Sequence, residues 1–571
     1  MNNNNLPPLH LQFYSGEDKS SNGDVEDRII QYISDNEPER YSDIFKVDDE
    51  WTVFYHLTHF RKNLLNWFHF DSNSSLLEIG AGMGGLTSLF CERCGHVTAV
   101  ELSKKRATAI QLRCRNYQNL DIFVGDYTNM HFDRKFDYIT LIDVLEHKNI
   151  YNQENIQQPD FFSIIKKHLA PGGKLIFAIE NKYGLKNWAY EDGNHSGVLY
   201  NSLNNLAIGN STQIYDRQKL SDLLGKAGFV NQKFYYPLPD HKLPRIIYTD
   251  DFISYDLNSQ AWPLYNCRNN QGDIVDLVDK YKVRDSVIRN NVFPFFANSF
   301  LVECSVEEVQ FDDTLFASIQ GPRVETSRII TRFDGKEFVK EAFSADAQSH
   351  IKGCYENIVE LQNRSIPVVA HKYHNNKIFT DNMLYETGEQ RFIKLLQDND
   401  IQGAKELLVK LYDYIILSSE ESNVKEYPKA DFGVVLENVF LDLSLHNSFY
   451  MDDQLHFFDQ EWKSHDLPAG YVFFRALNYI YSNNVFLEEM YPLQNWKDQF
   501  DLNHVWDTYL SIENSFMQEV ICTDFIIIDK LSHASEDMDR KNQKSGQFEG
   551  GLISRLKASL RKLKTKLHSI Y

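Results

Sequence analysis

The chain has little cysteine, no long apolar run and a deficit of basic residues, and each shortage removes a class of protein. Its seven cysteines, at 91, 94, 114, 267, 304, 354 and 522, are scattered and form no framework, which fits a reducing compartment. Cys91 and Cys94 have the spacing of a metal pair, but no second pair lies nearby, so they are expected to pack inside a helix. No apolar stretch approaches the roughly 18 residues needed to cross a bilayer. The start, Met1-Asn2-Asn3-Asn4-Asn5, has neither the positive region nor the apolar region of a secretory signal, so a cytoplasmic protein is expected. Lys and Arg number 59 against 80 Asp and Glu, a formal charge of −21. A general nucleic-acid binder would carry a basic footprint, so no nucleic-acid partner is expected.

What is present is a long chain, 571 residues with 42% hydrophobic and 13% aromatic residues, enough for two or three cores. Leu76-Leu77-Glu78-Ile79-Gly80-Ala81-Gly82-Met83-Gly84-Gly85 reads as strand, tight turn and helix start. Glycine supplies the positive φ and the missing Cβ that let the backbone approach a nucleotide closely. The letters satisfy G-x-G-x-x-G, and Glu101 closes the next apolar run. Alone, this pattern does not separate a nicotinamide site from an S-adenosylmethionine (SAM) site.

The neighbours separate them. Glu78 lies inside the strand ahead of Gly80, Gly82 and Gly84, where dinucleotide enzymes usually carry an apolar residue. Asp126 ends a third strand, placed to reach an adenine amino group, and Phe136 to His147 is a fourth strand that carries Asp143 into the mouth of the site. Leu169 to Phe177 is a helix end, a turn around Gly172-Gly173 and a fifth strand. In this order and spacing the elements resemble the class I SAM-dependent methyltransferases. The resemblance implies a Rossmann-like α/β fold with a parallel sheet, and SAM at the carboxyl ends of the strands, where Gly80, Glu101, Asp126 and Asp143 fall.

Around this sheet, Trp51 to Phe70 carries apolar residues at helical spacing and reads as a helix over the ligand site. Tyr55 or Arg61 could touch the SAM carboxylate from it, or the helix could simply cap the sheet. After the fifth strand, a polar loop holds Glu191, Asp192 and His195, with His195 a candidate general base or a solvated histidine. Arg217 to Ala227 reads as a helix stopped by Gly228, and Ala297 to Cys304 as the last strand. Residues 235–292 between them read as an irregular, aromatic-rich insertion containing Leu238-Pro239-Asp240-His241-Lys242-Leu243-Pro244, its length suggesting part of an acceptor pocket.

A second centre of chemistry follows. Asp442-Leu443-Ser444-Leu445-His446-Asn447 has D-x-x-x-x-N spacing, with Asp459 12 positions beyond Asn447. Two short strands joined at Asp452-Asp453 would bring Asn447 and Asp459 to one end, where they could hold Mg²⁺ while Asp442 takes the proton of an attacking hydroxyl. Upstream, Lys340 ends a strand and is the candidate lysine for the phosphates of ATP. Glu356 and Glu360 share one face of the next helix, and either could pair with it. Met383 to Gly388 would be a hinge. The order is that of a kinase-like phosphotransferase, but no glycine-rich loop precedes Lys340, and Asp459 is followed by Gln460-Glu461-Trp462. Asp431-Phe432-Gly433 spells the kinase triplet but stands before any catalytic loop.

The pair of units resembles bacterial proteins of O-antigen and related surface-polysaccharide synthesis, in which a methyltransferase precedes a kinase-like domain. The residues carrying the likeness are Leu76 to Gly85, Glu180 to Lys186, Leu243-Pro244, Asp442 with Asn447, and Phe458 to Trp462. In the bifunctional chain-terminating members, the kinase phosphorylates the terminal sugar and the methyltransferase caps that phosphate. The resemblance implies SAM, ATP and Mg²⁺ as cofactors and a glycan or lipid-linked polysaccharide as acceptor, with polysaccharide-assembly glycosyltransferases as further partners. Two alternatives are a sugar O-methyltransferase with a degenerate kinase-like domain, and a membrane-bound scaffold of an assembly complex.

The tail adds a hint of its own. Leu552, Leu556, Leu560, Leu563, Leu567 and Ile570 make one apolar stripe among six basic residues, the pattern of a helix that lies on the inner face of an anionic membrane, with a short coiled coil as the alternative. The expected organisation is a polar arm (1–50), a methyltransferase domain (51–305), a kinase-like domain (306–530), a linker (531–551) and this amphipathic helix (552–571).

Overall fold

In the computed structural model of the chain, the described residues are 6–18, 23–145, 158–188, 214–252, 290–321, 323–381, 385–424, 426–484 and 486–522, with 203, 283, 286 and 287. Glu191, Asp192, His195, the start of the hinge and both the linker and the amphipathic tail lie outside them.

The parallel sheet forms where the sequence has short apolar runs buried on both faces. β2 (Ser75–Ile79), β3 (His96–Glu101), β4 (Leu120–Gly125), β5 (Phe136–Ile142) and β6 (Leu169–Glu180) run parallel in the order β4-β3-β2-β5-β6. β9 (Ser299–Ser305) lies antiparallel between β6 and β7 (Asn231–Leu238). One face packs through Leu77, Ile139, Phe162 and Phe177, the other through Leu76, Phe90, Val97 and Ile110. Cys91 and Cys94 are buried in that second layer, at the end of the Thr87–Arg93 helix. The Arg217–Ala227 helix stops at Gly228, whose φ of 93° is the left-handed cap that glycine accepts without strain.

Four stretches differ from the sequence reading. The first fifty residues are more than an arm: β1 (Leu9–Phe13) pairs in parallel with β4, and the Asp24–Asp35 helix buries Ile29 and Ile33. The expected helix from Trp51 to Phe70 is broken. It ends at Leu57, Thr58 turns to extended backbone and accepts the Phe60 N–H on its hydroxyl, and a 3₁₀ turn runs over His59–Leu64. The insertion at 235–292 begins with order, the end of β7 and then β8 (Ile246–Thr249). Finally, the sheet does not stop near residue 306. Phe316, Ala317 and Ser318 of β10 (Phe316–Ile319) pair with Tyr248, Ile247 and Ile246, so hydrogen bonding passes from one unit into the next.

Beyond that junction the sheet continues antiparallel through β11 (Ile329–Phe333), β12 (Glu337–Ala342), β14 (Lys377–Asp381) and β13 (His371–His374), giving 14 strands among the described residues. The Gln348–Asn363 helix packs on it through Ile351 and Cys354. A separate core follows, built on the helices Ile401–Leu417 and Ala469–Asn483 and flanked by two small sheets. β15 (Val435–Phe440) pairs with β18 (Lys463–Pro468), and β16 (Ser448–Met451) with β17 (Gln454–Phe457). The second hairpin turns at Asp452 and Asp453, with φ of 49° and 61°, the two positive angles of a tight hairpin turn. Among the described residues, no helix is long and apolar enough to cross a membrane.

Candidate active sites

The first site sits at the carboxyl ends of β2, β3, β4 and β5. Gly80, Gly82 and Gly84 all have positive φ, 76°, 60° and 77°, so the turn needs residues without a Cβ penalty. The N–H groups of Gly80 and Ala81 donate to the Val100 carbonyl at 2.9 and 3.1 Å, tying the turn to β3. A Cβ at Gly82 would point into open space, whereas one at Gly84 would lie 3.4 Å from the Ile110 Cα. Gly82 therefore leaves room above the turn, and Gly84 lets the next helix pack close.

Glu101 closes this turn from the end of β3. Its carboxylate accepts the Gly82 N–H at 2.8 Å and the Ser103 N–H at 3.0 Å, while burial pushes its pKa up. Glu78 is buried beneath the turn and accepts the Thr87 hydroxyl at 2.6 Å; burial lifts its carboxyl to about 8, so it is neutral near pH 7. Its effect on a ligand would pass through Thr87 and the turn. Asp126 caps the short turn after β4, accepting both the N–H and the hydroxyl of Thr128, at 2.9 and 2.7 Å.

Asp143 is the focus of the fourth strand end. It has a φ of 59°, an uncommon angle for a residue with a side chain, and it gathers groups from distant segments. Tyr55 donates to it at 2.8 Å, His241 Nε2 contacts its other oxygen, and Arg61 lies 3.9 Å away while stacking 4.2 Å over the Tyr55 ring. Burial alone would raise the Asp143 carboxyl, but His241, Lys242 and Arg61 outweigh it and hold the group well below the usual carboxylate range. Beside it, buried Glu180 accepts Lys186 at 2.7 Å and Lys242 at 2.9 Å. Burial opposes that charge too, and the same lysines keep it ionised.

Sequence reasoning named Tyr55, Arg61 and Asp143 separately but missed His241, Lys242, Glu180 and Lys186 as one polar group. The signal was Asp240-His241-Lys242, three polar residues held between two prolines.

Residues 52–233 match the family model described as "Methyltransferase domain". That stretch is similar to a methyltransferase domain, and its fold is Rossmann-like α/β. Relatives match only short pieces. The chain is 30% identical over 81 residues to the ribosomal RNA small subunit methyltransferase A of Syntrophus aciditrophicus, 14% of this chain and 27% of that protein. It is 34% identical over 82 residues to the (S)-tetrahydroprotoberberine N-methyltransferase of Eschscholzia californica, 13% of this chain and 23% of that one. The chain thus spans about a quarter of the length of these two curated relatives. Among solved structures it is similar to the Haemonchus contortus phosphoethanolamine N-methyltransferase 2 in complex with SAM. There the identity is 16%, coverage 47% of this chain and 60% of the other, and the TM-score 0.28.

The cofactor of such a domain is SAM, and the residues present fit it. Glu101 offers carboxylate oxygens to ribose hydroxyls, the turn around Gly82 offers open space, and Arg61 offers a cation to a carboxylate.

The second site lies where β12, the Asp442–Asn447 loop and the segment after β17 meet. Lys340 Nζ contacts Asp459 and, at 2.8 Å, Glu461. Asp442 accepts the N–H groups of Glu461 and Trp462, both at 2.9 Å. Asn447 donates to the Asp442 carbonyl at 3.4 Å, and its own carbonyl accepts the Phe458 N–H at 2.9 Å. Burial pushes the Asp442 carboxyl up. Burial and the Glu461 charge lift Asp459 to about 7 against the pull of Lys340.

One assignment is corrected here. Glu356 does not reach Lys340. It is exposed and pairs with Lys352 at 3.1 Å, while Glu360 pairs with Lys463 at 2.9 Å. The buried face of their helix is Ile351, Cys354, Asn357, Ile358 and Leu361, which turns the two glutamates outward. The oxygens of Asp459 and Asn447 are of the hard type that Mg²⁺ takes, and Lys340 suits a phosphate, so the donor set fits those groups.

Proposed function

We propose that the chain is a SAM-dependent methyltransferase joined to a kinase-like phosphotransferase unit, and that both act on a bacterial surface polysaccharide such as O-antigen. The observation that carries the methyl-transfer half is Glu101 gripping the Gly82 N–H at the mouth of the sheet. SAM, when bound, supplies a methyl group on a sulfonium. The chain's own residues orient the acceptor: Asp143 stays ionised, with Tyr55, Arg61 and His241 fixing it from three sides.

The phosphotransferase half is supported by the convergence of Lys340, Asp442, Asn447 and Asp459 from three separate segments. Asp442 would take the proton of an attacking sugar hydroxyl, and Lys340 would hold phosphate charge. The polysaccharide acceptor follows from the sequence resemblance. Docking on the inner membrane face through residues 552–571 would bring lipid-linked glycan to both sites.

A second reading is favoured by one observation. Gly321, in the connection ahead of Lys340, is packed so tightly that a Cβ would lie 2.3 Å from the Phe60 ring, so it serves packing and not a phosphate loop. In that case the protein is a sugar O-methyltransferase whose second unit binds the acceptor. Methyl transfer from labelled SAM to a lipid-linked polysaccharide extract, with and without ATP and Mg²⁺, separates the two. If wild type needs ATP and Asp442→Ala is silent, phosphorylation creates the methyl acceptor. If both methylate equally without ATP, the second reading holds.

A further inference from the structure

The second site contains a carboxylate that the order of its motifs does not account for. Glu461 is 3% exposed in its side chain and contacts two cations, Lys340 at 2.8 Å through one oxygen and Arg323 through the other. His350 lies 3.9 Å from the same group. The backbone around it is pinned from both sides: Asn357 donates to the Gln460 carbonyl at 3.1 Å, and the N–H groups of Glu461 and Trp462 are bonded to Asp442.

Asp459, the other partner of Lys340, is placed differently. Its side chain is 30% exposed, so it can be reached from solvent. A divalent cation ligated by this carboxylate would repel an ammonium held on the same oxygens, so Asp459 would not keep Lys340 once a metal ion is bound. The helix offers no substitute, because Glu356 and Glu360 point away.

We propose that Glu461 is the positioning residue of this site, holding Lys340 toward a nucleotide phosphate in the place that a helix-borne acid would otherwise fill. The proposal rests on the phosphotransferase reading. Glu461 stays bonded to Lys340 when Asp459 turns to a metal ion, and Arg323 keeps the Glu461 carboxylate from following the lysine outward. Through its own N–H, the same residue also fixes the rotamer of Asp442, so one short segment, Asp459 to Trp462, sets the lysine and the base together.

The test is ATP binding to the full chain in the presence of Mg²⁺, measured by isothermal titration calorimetry, with circular dichroism showing that each variant is folded. Glu461→Gln is expected to weaken binding about tenfold, and Glu356→Gln to leave it within about twofold. If Glu461 acts through Lys340, adding Glu461→Gln to Lys340→Met costs nothing further; if the two losses multiply, the proposal is wrong. Should Glu461→Gln not fold, Glu461→Asp keeps the charge on a shorter arm and is expected to weaken binding several-fold. Wild-type affinity in whichever of these two variants folds, with Lys340→Met binding measurably more weakly than wild type, would overturn the proposal. If wild type and Lys340→Met are both unable to bind ATP, the phosphotransferase reading itself falls, and this proposal with it.

Discussion

The Tyr55 hydroxyl donates to Asp143 Oδ2 at 2.8 Å, joining the Trp51–Leu57 helix to the end of β5, 88 residues later. His241 reaches the same carboxylate from a third segment. Removing the shared acceptor leaves three polar partners facing each other across a mostly buried gap. Asp143→Ala is therefore expected to destabilise the fold by about 3 kcal/mol, whereas Tyr55→Phe, which removes one neutral donor, costs about 1 kcal/mol. Urea denaturation of both variants checks this; equal losses would show that Asp143 is no hub.

Glu78 gives a pH signature. Its carboxyl is lifted from an ordinary 4.5 to about 8 by burial, with the Thr87 hydroxyl bond opposing the lift. Below the lower value the group is protonated in both folded and unfolded chains. Between the two, the folded chain holds a proton that the unfolded chain has released, so this group's stabilisation is lost as pH rises through the window. Glu78→Gln is neutral at every pH and removes that slope. Melting temperatures from pH 5 to 8 are expected to fall more steeply for wild type than for the variant, and parallel curves would show that Glu78 is not neutral in the fold.

Gly321 marks the packing between the two units. A Cβ there would lie 2.3 Å from Phe60 Cε1 and 2.6 Å from Cδ1, in the 3₁₀ turn that carries Arg61. Gly321→Ala is expected to force the ring aside at a cost of about 1–3 kcal/mol and to disturb the methyltransferase site as well as the junction. Chemical denaturation reads the first effect and SAM affinity the second. A variant with wild-type stability would mean that the ring has room to yield.

The parts of this protein that were legible in the sequence are those set by local rules. The glycine turn, the apolar strands β2 to β6 and the helix stopped by Gly228 each follow from neighbouring residues. The β16–β17 hairpin followed from Asp452-Asp453 in the same way. β8 was missed because four residues, Ile246–Thr249, carry little pattern, and while β7 pairs with one side of it, its other partner, β10, comes some 70 positions later. Thr58 broke a helix that periodicity alone would have continued. Spacing showed that Glu356 and Glu360 share a face, but the choice of face was made by Ile351 and Cys354 burying themselves against the sheet and Leu361 in the separate core. His241 became part of a site only through Asp143, 98 residues away, a contact that no local signal encodes.

The most direct measurement is equilibrium binding of SAM to the full chain, wild type against Glu101→Ala. Glu101 holds the Gly82 N–H at 2.8 Å and is the acid offered to the ribose, so the variant is expected to bind SAM at least about tenfold more weakly while circular dichroism stays unchanged. Wild-type affinity in Glu101→Ala, or no SAM binding by the wild-type protein, would contradict the assignment of a SAM site to the mouth of this sheet.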